Sequence, residues 1–173
     1  FSEPQAHLRR LLDLRAMAWP SLTVTDEGLR IAATCTIAEL DAFSAPSDWL
    51  AAPLIGQCCR ALLASFKIWN AATVGGNICM SLPAGAMTSL TSSLEGICTV
   101  RGLDGAERQV PVVEFVTGNN QNILAPGELL VAITLPAAAL RKRAAFRRMS
   151  LTHQGRSAAL LIGTRGADDR FLL

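Results

Sequence analysis

The chain has 173 residues, 50% of them hydrophobic and 17% charged, with 16 Lys and Arg against 14 Asp and Glu for a formal net charge of +2. That length suits one domain or a small pair, and so apolar a composition excludes a disordered or acidic-tail chain. The near-neutral balance argues against a dedicated nucleic-acid binder, and the densest basic run, Arg141 to Arg143 with Arg147 and Arg148, reads as a solvated face.

Leu11 to Leu14 is a short apolar run, after which Leu22 to Thr25 and Leu29 to Thr34 alternate apolar and polar around Asp26-Glu27-Gly28. This pattern predicts a β-hairpin with its glycine in the turn. Thr36 stands three residues before Glu39, a capping-box spacing that predicts a short helix over Ile37 to Phe43. Pro53 suits the first turn of a second helix carrying Leu54, Ile55, Cys58, Leu62 and Leu63 at helical spacing. From Ile68 to Leu94 no residue is charged, yet Asn, Gly, Ser, Thr and Pro are too frequent for a membrane helix. Ile97 to Arg101 and Glu107 to Val112 flank Asp104-Gly105 and predict a second hairpin. Val112 to Val116 reads as a helical turn, Gly118 to Asn122 as a loop, and Leu129 to Leu135 as a β-rich run closed by Pro136. Ala145 to Met149 and Ala158 to Thr164 read as strands, and Phe171 to Leu173 as the start of another.

The chemistry available is narrow. There is no tyrosine, and the two histidines, His7 and His153, lie far apart with no Glu-x-x-His neighbour, so a metal site is not supported. Cys35, Cys58, Cys59, Cys79 and Cys98 form no Cys-x-x-Cys pair, which argues against both an iron–sulfur cluster and a disulfide framework. They read as reduced, mostly buried thiols of a cytoplasmic protein. Neither a P-loop nor a GxGxxG dinucleotide motif is present, and no run is apolar enough to span a bilayer.

The informative stretch is Ser65 to Gly85, SFKIWNAATVGGNICMSLPAG. Gly75 and Gly76 let a bulky ligand approach the backbone, Thr73 offers a hydroxyl, and Asn77 offers both donor and acceptor groups. Amides exposed by the glycine pair would form an anion nest able to hold a phosphate without Lys or Arg. A glycine pair alone suits a ligand loop and a tight structural turn equally well. Cys79, Met80, Trp49 and Trp69 read as packing residues, and His153 as an exposed loop residue without a proton-transfer role.

ATVGGNICMSLPAG resembles the ATxGGNI…PAG stretch of the FAD-binding medium subunits of molybdenum hydroxylases, the group that includes xanthine dehydrogenases and carbon monoxide dehydrogenases. The likeness extends through Leu12 to Arg15, LRIAATCTIAEL (Leu29 to Leu40), FVTG (Phe115 to Gly118), ILAPGELLVAITLP (Ile123 to Pro136) and AAFRRMS (Ala144 to Ser150). It implies an α+β FAD-binding fold of the vanillyl-alcohol-oxidase (PCMH-like) type, with residues 1–140 as the FAD-binding domain and 141–173 as the beginning of a small C-terminal α+β domain. The family's first FAD loop, an AGG-type glycine motif, would lie upstream of Phe1.

By the same resemblance FAD would contact Thr73, Val74, Gly75, Gly76 and Asn77, with Gly85, Ile123, Leu124 and Arg147 as further contacts. Ala86 stands where the family commonly carries an Asp, so that polar contact is lost. The expected role is electron transfer from iron–sulfur clusters on a small partner subunit, through FAD, to an external acceptor. The molybdopterin would sit on a large partner subunit, and no side chain here need act as a catalytic acid or base. The other readings are a non-catalytic interaction module that does not retain FAD and a stand-alone flavin oxidase.

Overall fold

The structure, a computed structural model, describes residues 11–152, 155–168 and 170–173. A single 3-10 turn, Leu14–Met17, is followed by β1 (Leu22–Thr25), β2 (Gly28–Ala32), α1 (Ile37–Asp41), α2 (Pro53–Ala61), α3 (Phe66–Trp69), α4 (Val74–Cys79) and α5 (Ala86–Ser93). Then come β3 (Ile97–Arg101), β4 (Glu107–Pro111), α6 (Val112–Phe115), β5 (Val116–Gly118), β6 (Gln121–Asn122) and β7 (Leu129–Pro136). The last elements are α7 (Ala137–Leu140), β8 (Arg143–Ser150), β9 (Ser157–Arg165) and β10 (Phe171–Leu172).

Five strands form one antiparallel sheet in the order β1-β2-β7-β3-β4. The late strand β7 enters between the two early hairpins, and Leu130, Val131, Ala132 and Ile133 are buried in succession, as befits a strand covered on both faces. Both predicted hairpins are present. Gly28 carries φ +139° and opposes Pro136 across the sheet, and a Cβ there would stand 2.0 Å from the Leu135 carbonyl oxygen, so only glycine fits. The capping box also forms: Thr36 Oγ1 accepts the Glu39 N–H at 3.2 Å while Glu39 Oε2 accepts the Thr36 N–H at 2.7 Å.

Against one part of this sheet lie α4 and α7, both touching β2 and β7. The core joins Leu29, Ile31, Ile133 and Leu135 of the sheet to Leu54 and Cys58 of α2, Ile78 of α4 and Leu90 of α5. Full burial of each large aliphatic side chain stabilises by roughly 1.5–3 kcal/mol. Trp49 joins this core beside Phe43, with ring centroids 6.3 Å apart, and Trp69 Nε1 donates to the Leu62 carbonyl at 3.2 Å, so both tryptophans are packing residues.

A second, three-stranded sheet, β10-β9-β8, packs through β9 on α5 and through β8 on α2. Ile162 joins the main core from β9.

Three local expectations change. The second helix ends at Ala61, and Leu63 is exposed. The expected loop Gly118 to Asn122 is a small hairpin of β5 and β6, turned by Asn120 at φ +54°, a conformation asparagine tolerates. The uncharged stretch contains the end of α3 and two whole helices, α4 and α5, the first of which begins within the glycine motif.

Candidate functional site

Thr73 is the N-cap of α4: its backbone is extended and its Oγ1 accepts the Gly76 N–H at 3.0 Å. Val74 N–H donates to the Cys35 carbonyl at 2.8 Å and Gly75 N–H to the Ala33 carbonyl at 3.0 Å, which seats the helix start on the segment leaving β2. Asn77 N–H donates to the Thr73 carbonyl at 3.0 Å. All four amides that follow Thr73 are therefore engaged within the chain. The free-amide nest expected from the glycine pair is not formed, because helix capping and tertiary hydrogen bonds take its donors.

The two glycines differ in what they do. A Cβ on Gly75 would meet the Ala33 Cβ at 2.5 Å and its Cα at 2.7 Å, so this glycine allows the helix to touch the backbone after β2. Gly76 is exposed, and a Cβ there would meet only Thr73 Oγ1, at 2.9 Å. Both glycines, with Thr73, line a cavity of about 400 Å³ whose wall also includes Ala33, Leu124, Leu129 and Leu130.

Two carboxylates reach this cavity, each already held by an arginine. Asp13 takes Arg15 Nη2 at 3.0 Å and the Arg15 N–H at 3.0 Å, and the guanidinium beside it holds its pKa below the usual carboxylate range. Glu128 accepts Arg108 Nε at 2.9 Å and Nη2 at 2.8 Å together with the Ala125 N–H at 2.9 Å. That bidentate arginine first, and the amide second, pull Glu128 down to about 2. The cavity is thus mainly apolar, with its ionic groups paired and two hydroxyls, those of Thr34 and Thr73, on its wall.

Of the residues expected to contact a cofactor, Thr73, Gly75, Gly76 and Leu124 come together at this cavity. The others do different work. Val74 is fully buried in the core, Asn77 Oδ1 accepts the Met87 N–H at 3.1 Å, and Gly85 occupies the N-cap position of α5. Ile123 packs half-buried against the core, and Arg147 lies on the exposed face of β8, lining a separate cavity with Leu50 and Gln57. Met80, expected to pack, is 55% exposed, whereas Cys79 is half-buried and lines the 400 Å³ cavity. His153 lies outside the described residues.

Four residues to which the sequence reading gave no site role also shape the site: Arg15, Thr34 and Glu128 on the wall, and Asn122 through its contacts with Cys79 and Leu124. Asn122 Nδ2 donates to the Cys79 carbonyl at 2.9 Å and its Oδ1 accepts the Leu124 N–H at 3.0 Å, fixing the loop that carries Leu124. The polar run around Asn119 to Asn122 was its only sequence signal. Among the described residues no group of His, Cys, Asp and Glu could hold a metal ion, and no helix is long and apolar enough to cross a membrane.

A glycine-faced cavity at a helix start, walled by aliphatic side chains and set against an antiparallel sheet, gives this α+β domain a concave, mostly apolar site of the kind that small-molecule ligands occupy. The chain belongs to the family described as the FAD binding domain in molybdopterin dehydrogenase, whose model matches residues 2–138. It is 26% identical over 139 residues to the carbon monoxide dehydrogenase medium chain of Hydrogenophaga pseudoflava, an alignment covering 79% of this chain and 45% of that one. Among solved structures, quinoline 2-oxidoreductase from Pseudomonas putida 86 matches with a TM-score of 0.69 at 18% identity, over 83% of this chain and 48% of the other. Carbon monoxide dehydrogenase from Hydrogenophaga pseudoflava lacking the Mo-pyranopterin moiety gives 0.67 at 20% identity, over 87% and 56%. These likenesses establish the fold, an α+β FAD-binding domain of the kind found in molybdopterin dehydrogenases. The chain spans about half the length of the relatives it matches.

The cavity fits part of such a cofactor. The bare Gly76 surface and the aliphatic walls admit a flat or bulky neutral group, and the hydroxyls of Thr34 and Thr73 offer polar contacts. Phosphate charge would find no free amide among residues 74–77.

Proposed function

We propose that this chain is the FAD-binding portion of the flavoprotein subunit of a molybdopterin-containing dehydrogenase. In this reading residues 1–140 form the FAD-binding domain and 141–173 begin a second domain, a division supported by the separate β10-β9-β8 sheet. The observation that carries the site assignment is the meeting of Thr73, Gly75, Gly76 and Leu124 at one cavity from two distant parts of the chain.

FAD held here would supply the redox chemistry, electron transfer between the molybdopterin and iron–sulfur centres of partner subunits and an external acceptor. The chain's own residues bind and orient. Gly76 leaves room for the cofactor, Leu124, Leu129 and Leu130 exclude water from its apolar part, and the Thr73 and Thr34 hydroxyls are within the wall that faces it. The paired Asp13–Arg15 and Arg108–Glu128 groups leave no unpaired charge on the described cavity wall. We place the protein in the cytoplasm on the strength of its five free thiols, four of them buried.

The test is flavin content. Purified protein, or protein incubated with FAD, is expected to retain flavin at near stoichiometric absorbance, and Gly76→Asp is expected to lose it with its fold intact by circular dichroism. A colourless wild-type protein that takes up no added FAD would overturn the assignment.

A further inference from the structure

The hairpin of β5 and β6 is too short to hold its own place. It pairs only Val116 with Asn122 and Gly118 with Gln121, and a two-stranded hairpin standing alone is marginally stable at best. Two hydrogen bonds tie it to the end of α4. Asn120 N–H donates to the Ser81 carbonyl at 3.0 Å, and Asn122 Nδ2 donates to the Cys79 carbonyl at 2.9 Å. Carbonyls at a helix C-terminus have no partner within the helix, so the hairpin supplies donors that α4 lacks. Ser81 is buried at φ +50°, a left-handed conformation that a non-glycine residue keeps only where its surroundings hold it.

Asn122 does more than turn the chain. An asparagine in a turn ordinarily bonds to backbone a residue or two away, and its Oδ1 does so by accepting the Leu124 N–H at 3.0 Å. Its Nδ2, however, reaches a carbonyl 43 residues back in sequence. The two ends cannot be exchanged, because a flipped amide would set oxygen against the Cys79 carbonyl and N–H against the Leu124 N–H. The wall of the 400 Å³ cavity includes Gly75, Gly76 and Cys79 of α4 together with Leu124 of the loop after β6. One half-buried side chain therefore joins the two segments that meet at the cavity.

We propose that Asn122 is a positioning residue of the cofactor cavity, holding Leu124 in register with the glycine helix so that the cavity keeps the shape that admits FAD. This inference rests on the reading of the cavity as the flavin site. Both a donor and an acceptor are required at position 122, which gives the proposal a test by protonation. An aspartate there keeps the acceptor for Leu124 but, when ionised, has no donor and turns a negative oxygen toward the Cys79 carbonyl. The protonated acid restores the O–H donor, and facing a carbonyl while half-buried raises its pKa above the usual aspartate range. The surrounding groups do not titrate in that interval. Burial pushes the Cys79 thiol up to about 11, and the cavity carboxylates are held low by their arginines, Glu128 at about 2 and Asp13 below its ordinary value. The charged residue of α6, which packs on β5, is the exposed Glu114, and it is present in every variant compared.

The experiment measures FAD affinity of the purified chain by equilibrium dialysis, from a pH of about 7.5 down to about 4.5, with circular dichroism confirming the fold at each point. Asn122→Ala is expected to remain folded and to bind FAD about tenfold more weakly at every pH, the loss of one hydrogen-bonded tether. Asn122→Asp is expected to bind at least as weakly near pH 7.5 and to regain most of the lost affinity as pH falls, while wild type and Asn122→Ala keep flat profiles. Wild-type affinity in Asn122→Ala, or an Asn122→Asp profile parallel to that of Asn122→Ala, would overturn the positioning role and leave the flavin site standing. A wild-type chain that takes up no FAD would overturn the flavin site, and this inference with it.

Discussion

Asn77 Oδ1 accepts the backbone N–H of Met87 at 3.1 Å, joining the last residue of the glycine motif to the first turn of α5. Gly85, at the N-cap position of that helix, has no side chain with which to cap it. Asn77 fills that place from the preceding helix, so its presence in the motif has a structural reason independent of any cofactor. Asn77→Ala, which strands the Met87 amide, is expected to destabilise by about 1–2 kcal/mol. Asn77→Asp keeps the acceptor and places negative charge at a helix start, and should retain most of the stability. Urea midpoints distinguish the two, and equal losses would remove the capping role.

The neighbouring glycines should separate fold from binding. Gly75→Ala drives a Cβ into the backbone and side chain of Ala33 and is expected to cost about 1–3 kcal/mol whether or not cofactor is present. Gly76→Ala brings its Cβ to 2.9 Å from the Thr73 hydroxyl that caps α4; the hydroxyl must shift, but the higher helix propensity of alanine offsets that loss, so the unfolding midpoint should stay near wild type while flavin content falls. Thermal melts beside absorbance spectra of both variants make the comparison. A Gly76→Ala protein with full flavin would place the cofactor away from this helix.

Local chemistry made much of the fold readable in the sequence. Asp26-Glu27-Gly28, Asp104-Gly105 and the Thr36–Glu39 box each act over a few residues, and each formed where its own turn or cap chemistry required. The placement of β7 between β2 and β3 was not readable, because strand order depends on contacts between distant segments. Nor was α4, whose two glycines disfavour a helix and which is held by Ala33 and Cys35 carbonyls far back in the chain. The same contacts explain the site. Family motifs include Thr73, Gly75, Gly76 and Leu124, which meet at one cavity, but the engagement of the loop amides and the roles of Asn77 and Asn122 follow from partners brought together only by folding.

The Arg108–Glu128 pair should give stability a distinct acid limb. Glu128 ionises in the folded chain at about 2, below its ordinary value of 4.5, because Arg108 and the Ala125 amide favour the carboxylate. A depressed folded pKa means that the unfolded chain binds the proton first as pH falls. The contribution is therefore fully present above about 4.5 and is lost progressively as pH drops toward about 2. Glu128→Gln is expected to flatten that part of the curve of denaturation midpoint against pH and to leave the neutral-to-alkaline part parallel to wild type. Parallel curves down to the acid end would show that the pair does not form.

Cys79 offers a probe of the cavity that does not depend on turnover. Burial pushes its thiol up to about 11, and the Cys35, Cys58, Cys59 and Cys98 thiols to about 12, so all five are protonated near neutral pH and react slowly. Cys79 is the one that is only half-buried, and it lines the cavity with Gly75 and Gly76. Iodoacetamide should label Cys79 first in the native protein and the other four only on unfolding. Saturating FAD is expected to slow the labelling of Cys79 several-fold without changing the rates of the rest, as read by peptide mass spectrometry. Unchanged Cys79 labelling in protein shown to carry flavin would mean that the cofactor does not occupy this cavity, because a group seated against Gly76 would cover the same wall.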